Sequence, residues 1–164
     1  MQTEQLKNNI PVNERERYMS IALELAQEAF INGEVPVGCV IADADGNIIG
    51  TGRNRMEKNR DATCHAELEA IKAASENRGD WRLDDCTLFV NLEPCPMCAG
   101  AIINARIPNV VFASRDDVRG ACGGVIDLFS ENFHHKVAVY PGVMNDESSA
   151  LLKRFFADKR KDAL

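Results

Sequence analysis

An α/β sandwich is the fold class that this sequence predicts, on three observations. Short apolar runs of strand length alternate with stretches in helical period along most of the chain. Asp45-Gly46 lies between two such runs and is a hairpin signal, which puts antiparallel pairing at the start of the sheet. The 164 residues, free of repeats and low-complexity linkers, suit one domain with a full core.

The first dozen residues are polar and predict a flexible segment, 1–12, ahead of a single domain over 13–164. From Asn13, read as an N-cap, Met19, Ala22, Leu23, Ala26, Ala29 and Phe30 recur at helical spacing until Gly33 stops the helix. Residues 37–42 read as a buried strand and 47–52 as its hairpin partner. An irregular polar loop, 54–61, leads to a helix capped within Asp61-Ala62-Thr63 and closing near Gly79. Three further strands are expected over 86–91, 109–113 and 136–140, with a helix opening at Cys95-Pro96 between the first two. Asn145 then caps a last helix on which Leu151, Leu152, Phe155 and Phe156 form one apolar face.

No apolar run is long enough to span a bilayer, and Met1-Gln2-Thr3-Glu4 lacks the basic-then-apolar layout of a signal peptide. A cytoplasmic protein with no membrane partner is expected. Six cysteines could build a disulfide scaffold, but without an export signal a reduced compartment is the reading. Cys39 and Cys86, in or beside strands, read as small buried residues, and Cys122, set among glycines, as an exposed, oxidisable thiol. The net charge of −6 argues against a phosphate-rich partner. The distribution argues the other way: Arg53, Arg55, Lys58 and Arg60 precede His65, and Lys153, Arg154, Lys159, Arg160 and Lys161 decorate the last helix.

Chemistry concentrates in His65-Ala66-Glu67 and Pro94-Cys95-Pro96-Met97-Cys98. Zinc favours thiolate and imidazole, and a hydrolytic site keeps three protein ligands and leaves the fourth position to water. His65, Cys95 and Cys98 make such a set for one Zn2+ per chain, and Glu67 is a spare carboxylate suited to moving protons. Cys-x-x-Cys alone could be a redox pair or half of a structural zinc site, with Cys64 as the near candidate for a fourth ligand. The order His-x-Glu…Pro-Cys-x-x-Cys matches the known signature of zinc nucleobase deaminases.

The match extends to Glu34-Val35-Pro36-Val37-Gly38, Gly52-Arg53-Asn54-Arg55, Leu92-Glu93-Pro94, Asn109-Val110-Val111-Phe112, Arg115-Asp116 with the glycines after it, and Asp146-Glu147…Phe155-Phe156. Together these blocks resemble bacterial tRNA adenosine deaminases of the TadA type, within the cytidine/deoxycytidylate deaminase superfamily, from the first helix nearly to the C-terminus. The resemblance implies a cytidine-deaminase-like fold: a three-layer α/β/α sandwich with a mixed five-stranded sheet. It also implies a homodimer that converts adenosine to inosine at the wobble position of a tRNA anticodon stem-loop. By the same resemblance His65, Cys95 and Cys98 hold zinc, Glu67 is the catalytic proton shuttle, Asn54 contacts the flipped nucleoside, Ala66 lies against the base, and Asp116 and the last helix touch the anticodon loop.

Several positions keep a second reading. Asn54 also suits a hairpin-end turn, Asp116 a cap or loop acid, and at least one of Phe155 and Phe156 the core. Ala62 stands where the family often has proline, Cys64 replaces a small apolar residue, and Asp117-Val118-Arg119 lacks a lysine often found there. His135 aligns with a family histidine of no assigned role, whereas His134 has no counterpart and reads as solvent-facing. The rivals are a guanine or other free-base or nucleoside deaminase, which has no need of basic residues beyond the pocket, and a non-catalytic zinc domain, which has no use for Glu67.

Overall fold

Side-chain alternation along the central strands sets the layering. Strand β1 (Gly38–Ala42) sends Cys39 and Ile41 into one apolar cluster and Val40 and Ala42 into another. The same split separates Leu88 and Val90 from Phe89 in β3 (Thr87–Leu92), and Val110 and Phe112 from Val111 in β4 (Asn109–Ser114). With both faces apolar, the sheet needs a helical layer on each side. Helix α1 (Val12–Ile31) covers one face through Tyr18, Met19 and Ala22; α3 (Ala66–Arg78) and α4 (Pro96–Asn104) cover the other. The computed structural model describes residues 11–163, so the segment expected to be flexible lies outside the described residues as far as residue 10.

The five strands run in the order β2-β1-β3-β4-β5, with β2 at Ile48–Arg53 and β5 at Ala138–Pro141. β1 is antiparallel to both β2 and β3, whereas β3–β4 and β4–β5 are parallel. The sheet is mixed, as expected. Because β2 and β3 are both antiparallel to β1, they point the same way, and α3 and α4, which follow them, start at the same end of the sheet. That connectivity is what creates a site.

The distance of α3 from the sheet is set by glycine. Gly50 and Gly52 lie on one face of β2 under Ala66, Ala70 and Ala74, which recur every fourth residue along α3. A methyl on Gly52 would lie 2.7 Å from the Ala70 nitrogen and closer still to the Ala66 carbonyl. We expect Gly52→Ala to destabilise the protein by about 1–3 kcal/mol, the usual cost of overpacking. It should also lower activity by displacing the start of α3, as thermal unfolding and turnover of the same preparation would reveal. Unchanged values for both would show that the helix has room to move.

Local details differ from the sequence reading, each for a physical reason. Pro11, fixed at φ −58°, precedes α1 and accepts the Glu14 and Arg15 amides through its carbonyl, so the helix begins at Val12 and Asn13 is not the cap. Asp61 closes a separate turn on the Thr63 amide and hydroxyl, and α3 starts only at Ala66, with His65 as its extended N-cap. The loop expected to be irregular contains a one-turn helix, α2 (Met56–Asn59), because the Glu34 carboxylate accepts the amides of Glu57 and Lys58 at 2.9 and 3.0 Å. Helix α5 (Asn145–Asp162) begins after Met144, itself in the left-handed region, so Asn145 is the first helical residue rather than the cap. The Ser148 hydroxyl donates to the Asn91 carbonyl at 2.6 Å and fastens α5 beside the end of β3.

Candidate active site

Two helix N-termini meet at the carboxyl ends of β2 and β3. His65 is the N-cap of α3 and Cys95 the N-cap of α4, while Cys98 lies in the first turn of α4 after Pro96. His65 Nδ1 lies 3.5 Å from Cys95 Sγ and 3.4 Å from Cys98 Sγ, and the three atoms lie within 4.8 Å of one another. Tetrahedral zinc with ordinary Zn–N and Zn–S bonds would separate nitrogen and sulfur by about 3.6 Å. The donor set fits zinc in both chemistry and spacing.

The electrostatics favour a cation. Helix N-termini are positive and help hold thiolates. Cys95 is pulled down to about 4, first by a hydrogen bond from Cys98 and also by His65, and the same contact with burial pushes Cys98 up. His65 is raised chiefly by its hydrogen bond with Cys95. A divalent ion would hold both thiols ionised.

Glu67, only 4% exposed, lies in the first turn of α3 and lines the same cleft, of about 720 Å³, as His65 and Cys95. Burial is the main reason that its carboxyl is raised, against a hydrogen bond with Cys98 that lowers it. A buried acid whose affinity for a proton is raised is suited to carrying one. Ala66 is fully buried and also lines the cleft. Asn54 does so as well, its amide oriented by donation to the Val35 carbonyl at 3.3 Å and acceptance from the Met56 amide at 3.2 Å. It is therefore a turn residue and a cleft residue at once.

Asp116 borders the cleft, but its Oδ1 accepts the amides of Val118 and Arg119, both at 3.0 Å. The loop-acid reading describes its hydrogen bonds. Across the cleft from the metal ligands, α5 contributes Phe155, Phe156 and Lys159. Phe155 is buried edge-on against Phe30 at 5.6 Å, while Phe156 is 45% exposed, so both line the cleft but only Phe155 is also packed into the core.

Other expectations are corrected. Cys122 is buried at 8% exposure, not exposed, since its loop folds back onto Glu93. Arg55 is paired with Glu69 at 2.6 Å, and Arg53 lies 3.9 Å from Glu28, an ion-pair separation too long for a hydrogen bond. Only Lys58 and Arg60 of that loop remain fully exposed cations. His135, unassigned from sequence, contacts the Ile107 carbonyl at 2.6 Å through Nε2.

Two buried acids at the cleft, Glu34 and Glu93, were not singled out from the sequence. A signal existed: a carboxylate is almost never buried without partners, and Glu93 directly follows an apolar strand while three glycines lie at 120, 123 and 124.

Comparison with known proteins agrees with the geometry. Residues 12–114 match the cytidine and deoxycytidylate deaminase zinc-binding region. A tRNA-specific adenosine deaminase of Bacillus subtilis is 40% identical over 147 residues, 89% of this chain and 91% of that protein. A tRNA(Ile)-lysidine synthase of Deinococcus radiodurans is 43% identical over 152 residues, 93% of this chain, but the chain spans only 26% of its length. A solved structure from studies of A-to-I editing by tRNA:A34 deaminases at the wobble position of transfer RNA superposes with a TM-score of 0.80 and 39% identity, covering 83% of this chain and 99% of that one. Zinc is thus the cofactor, and the chain belongs to the cytidine and deoxycytidylate deaminase zinc-binding family, in the branch of the tRNA-specific adenosine deaminases.

Proposed function

We propose that the chain is a zinc-dependent hydrolase that deaminates adenosine to inosine at the wobble position of a tRNA anticodon. The observation that carries this reading is the placement of buried Glu67 beside the His65–Cys95–Cys98 set in a cleft whose other side is α5. Zinc, when bound, supplies a nucleophile at neutral pH by acidifying water. Glu67 accepts a proton from the attacking water as its oxygen adds to C6, and passes that proton to adenine N1. It then takes the proton of the new C6 hydroxyl and delivers it to the departing N6 amine, so that adenosine and water become inosine and ammonia. Asn54 orients the nucleoside with its amide, and buried Ala66 offers a flat backbone against the base. Asp116 shapes the mouth for the flanking nucleotides. The base must leave its stack, which costs little in a single-stranded loop.

A single domain over 13–164 working as a cytoplasmic homodimer completes the reading. Met97, Val118, Val125 and Ile126 are exposed apolar side chains on the start of α4 and the loop pinned to it, which suits a surface that a second copy covers. Among the described residues no helix is long and apolar enough to cross a membrane.

Recognition of RNA should come from the exposed cations of α5. Replacing Lys159, Arg160 and Lys161 with glutamine should raise KM for an anticodon stem-loop and leave kcat nearly unchanged. The salt dependence of binding, on logarithmic axes, should become shallower by about 2, from roughly 0.7 per lost phosphate contact. Turnover indifferent to salt and to these substitutions, with strong activity on free guanine, would transfer the assignment to a free-base deaminase.

A further inference from the structure

Glu93 is 2% exposed and lies between the end of β3 and the ligand Cys95. Its carboxylate accepts three main-chain amides from one loop: Asp116 at 3.2 Å on Oε1, and Cys122 and Gly124 each at 2.9 Å on Oε2. The neighbouring Pro94 carbonyl accepts the Ala121 amide at 2.9 Å. The loop thus closes around an internal anion as a backbone nest closes around a phosphate. Two glycines make the approach possible. A methyl on Gly124 would collide with the Asp116 carbonyl oxygen and lie 2.9 Å from both carboxylate oxygens, and one on Gly120 would collide with Oε2 and with the same carbonyl.

The loop held in this way brings Asp116 and Arg119 to the edge of the cleft. Its anchor, Glu93, lies two residues before Cys95, so cleft edge and candidate metal ligand share one stretch of backbone. We propose that Glu93 is a positioning residue which holds the 116–124 loop in register with the metal centre and so sets the affinity for the nucleotides flanking the reacting base. The inference rests on the deaminase reading for its functional half and on geometry alone for the clamp. Glutamine cannot fully replace the acid, because an amide offers one acceptor oxygen and, with that oxygen toward Cys122 and Gly124, its NH2 group faces the Asp116 amide, itself a donor. Burying those mismatched groups should free the loop.

The test combines amide exchange with kinetics. In the zinc-loaded wild type, the Asp116, Cys122 and Gly124 amides should exchange slowly despite lying in a loop. Glu93→Gln should lose that protection at the Asp116 amide first, retain one zinc per chain, raise KM for an anticodon stem-loop on the order of tenfold and change kcat by less than about threefold. Gly124→Ala displaces the loop from its own side, against the Asp116 carbonyl and the carboxylate together, and should also raise KM. The two substitutions share the Glu93–Gly124 contact, so their combined effect should fall short of the sum. A merely structural acid would reduce the folded fraction and apparent kcat without moving KM. Three unprotected amides in the wild type, or an unchanged KM in both variants, would overturn the proposal. Should Glu93→Gln not fold, Gly124→Ala and wild-type exchange still decide it. A wild type that exchanges as described but does not act on the stem-loop would instead overturn the deaminase reading and with it the functional half.

Discussion

Replacing Glu67 with alanine should leave zinc in place and remove essentially all turnover. The three ligand atoms come from His65, Cys95 and Cys98, so no metal bond is lost with the carboxylate. What is lost is the acid proposed to take a proton from water and deliver it to the base. General acid–base groups contribute about 10²–10⁴-fold, and a residue serving several transfers in one cycle should fall at the upper end. Stability should hardly suffer. Glu67 is buried, with its carboxyl raised by desolvation, so removing it relieves a cost as well as leaving a small void. Glu67→Gln isolates the chemistry more cleanly, because it keeps the shape and loses the transferable proton. Metal analysis and single-turnover deamination of the two variants provide the check. Activity within about tenfold of wild type would sink the proton-shuttle role.

The metal centre was legible because its signal is local: residue types that zinc prefers, at spacings that helix starts can bring together. Pro96 in the first turn of α4 was readable for the same reason. What sequence did not reveal depends on groups distant along the chain. Glu34 organises α2 from 23 residues away, and no pattern within 54–61 encodes that carboxylate. Glu69 neutralises Arg55 across 14 residues, which turned an expected basic patch into an internal ion pair. Glu93 and Cys122 meet across 29 residues, and only that contact explains why a cysteine among glycines is buried. The start of α3 was misplaced because Asp61 and Thr63 form a turn with the same chemistry as a cap. Tertiary partners decided the first three cases, and a competing local turn the last.

Replacing Cys95 or Cys98 with alanine should release zinc and lower the melting temperature, while the fold survives. The apolar clusters on both faces of the sheet are built from strands and helices and do not include the metal, so the chain has a core without it. Zinc stabilises the native state by linkage: at a free concentration of about 1,000 times Kd, a native-only ligand adds about 4 kcal/mol. For a domain of this size that corresponds to roughly 8–16 °C. Cys98 is fully buried and hydrogen-bonded to Glu67, whereas Cys95 is half-buried, so Cys98→Ala should add a packing loss that Cys95→Ala avoids. The cleanest comparison is between Cys95→Ala and wild type stripped by a chelator. Both should hold less than about one-tenth of a zinc per chain, melt at nearly the same temperature and lack deaminase activity. Returning zinc should restore the stripped wild type alone. A Cys95→Ala protein that keeps a full zinc would mean that the ion is bound elsewhere, and the ligand assignment would fall.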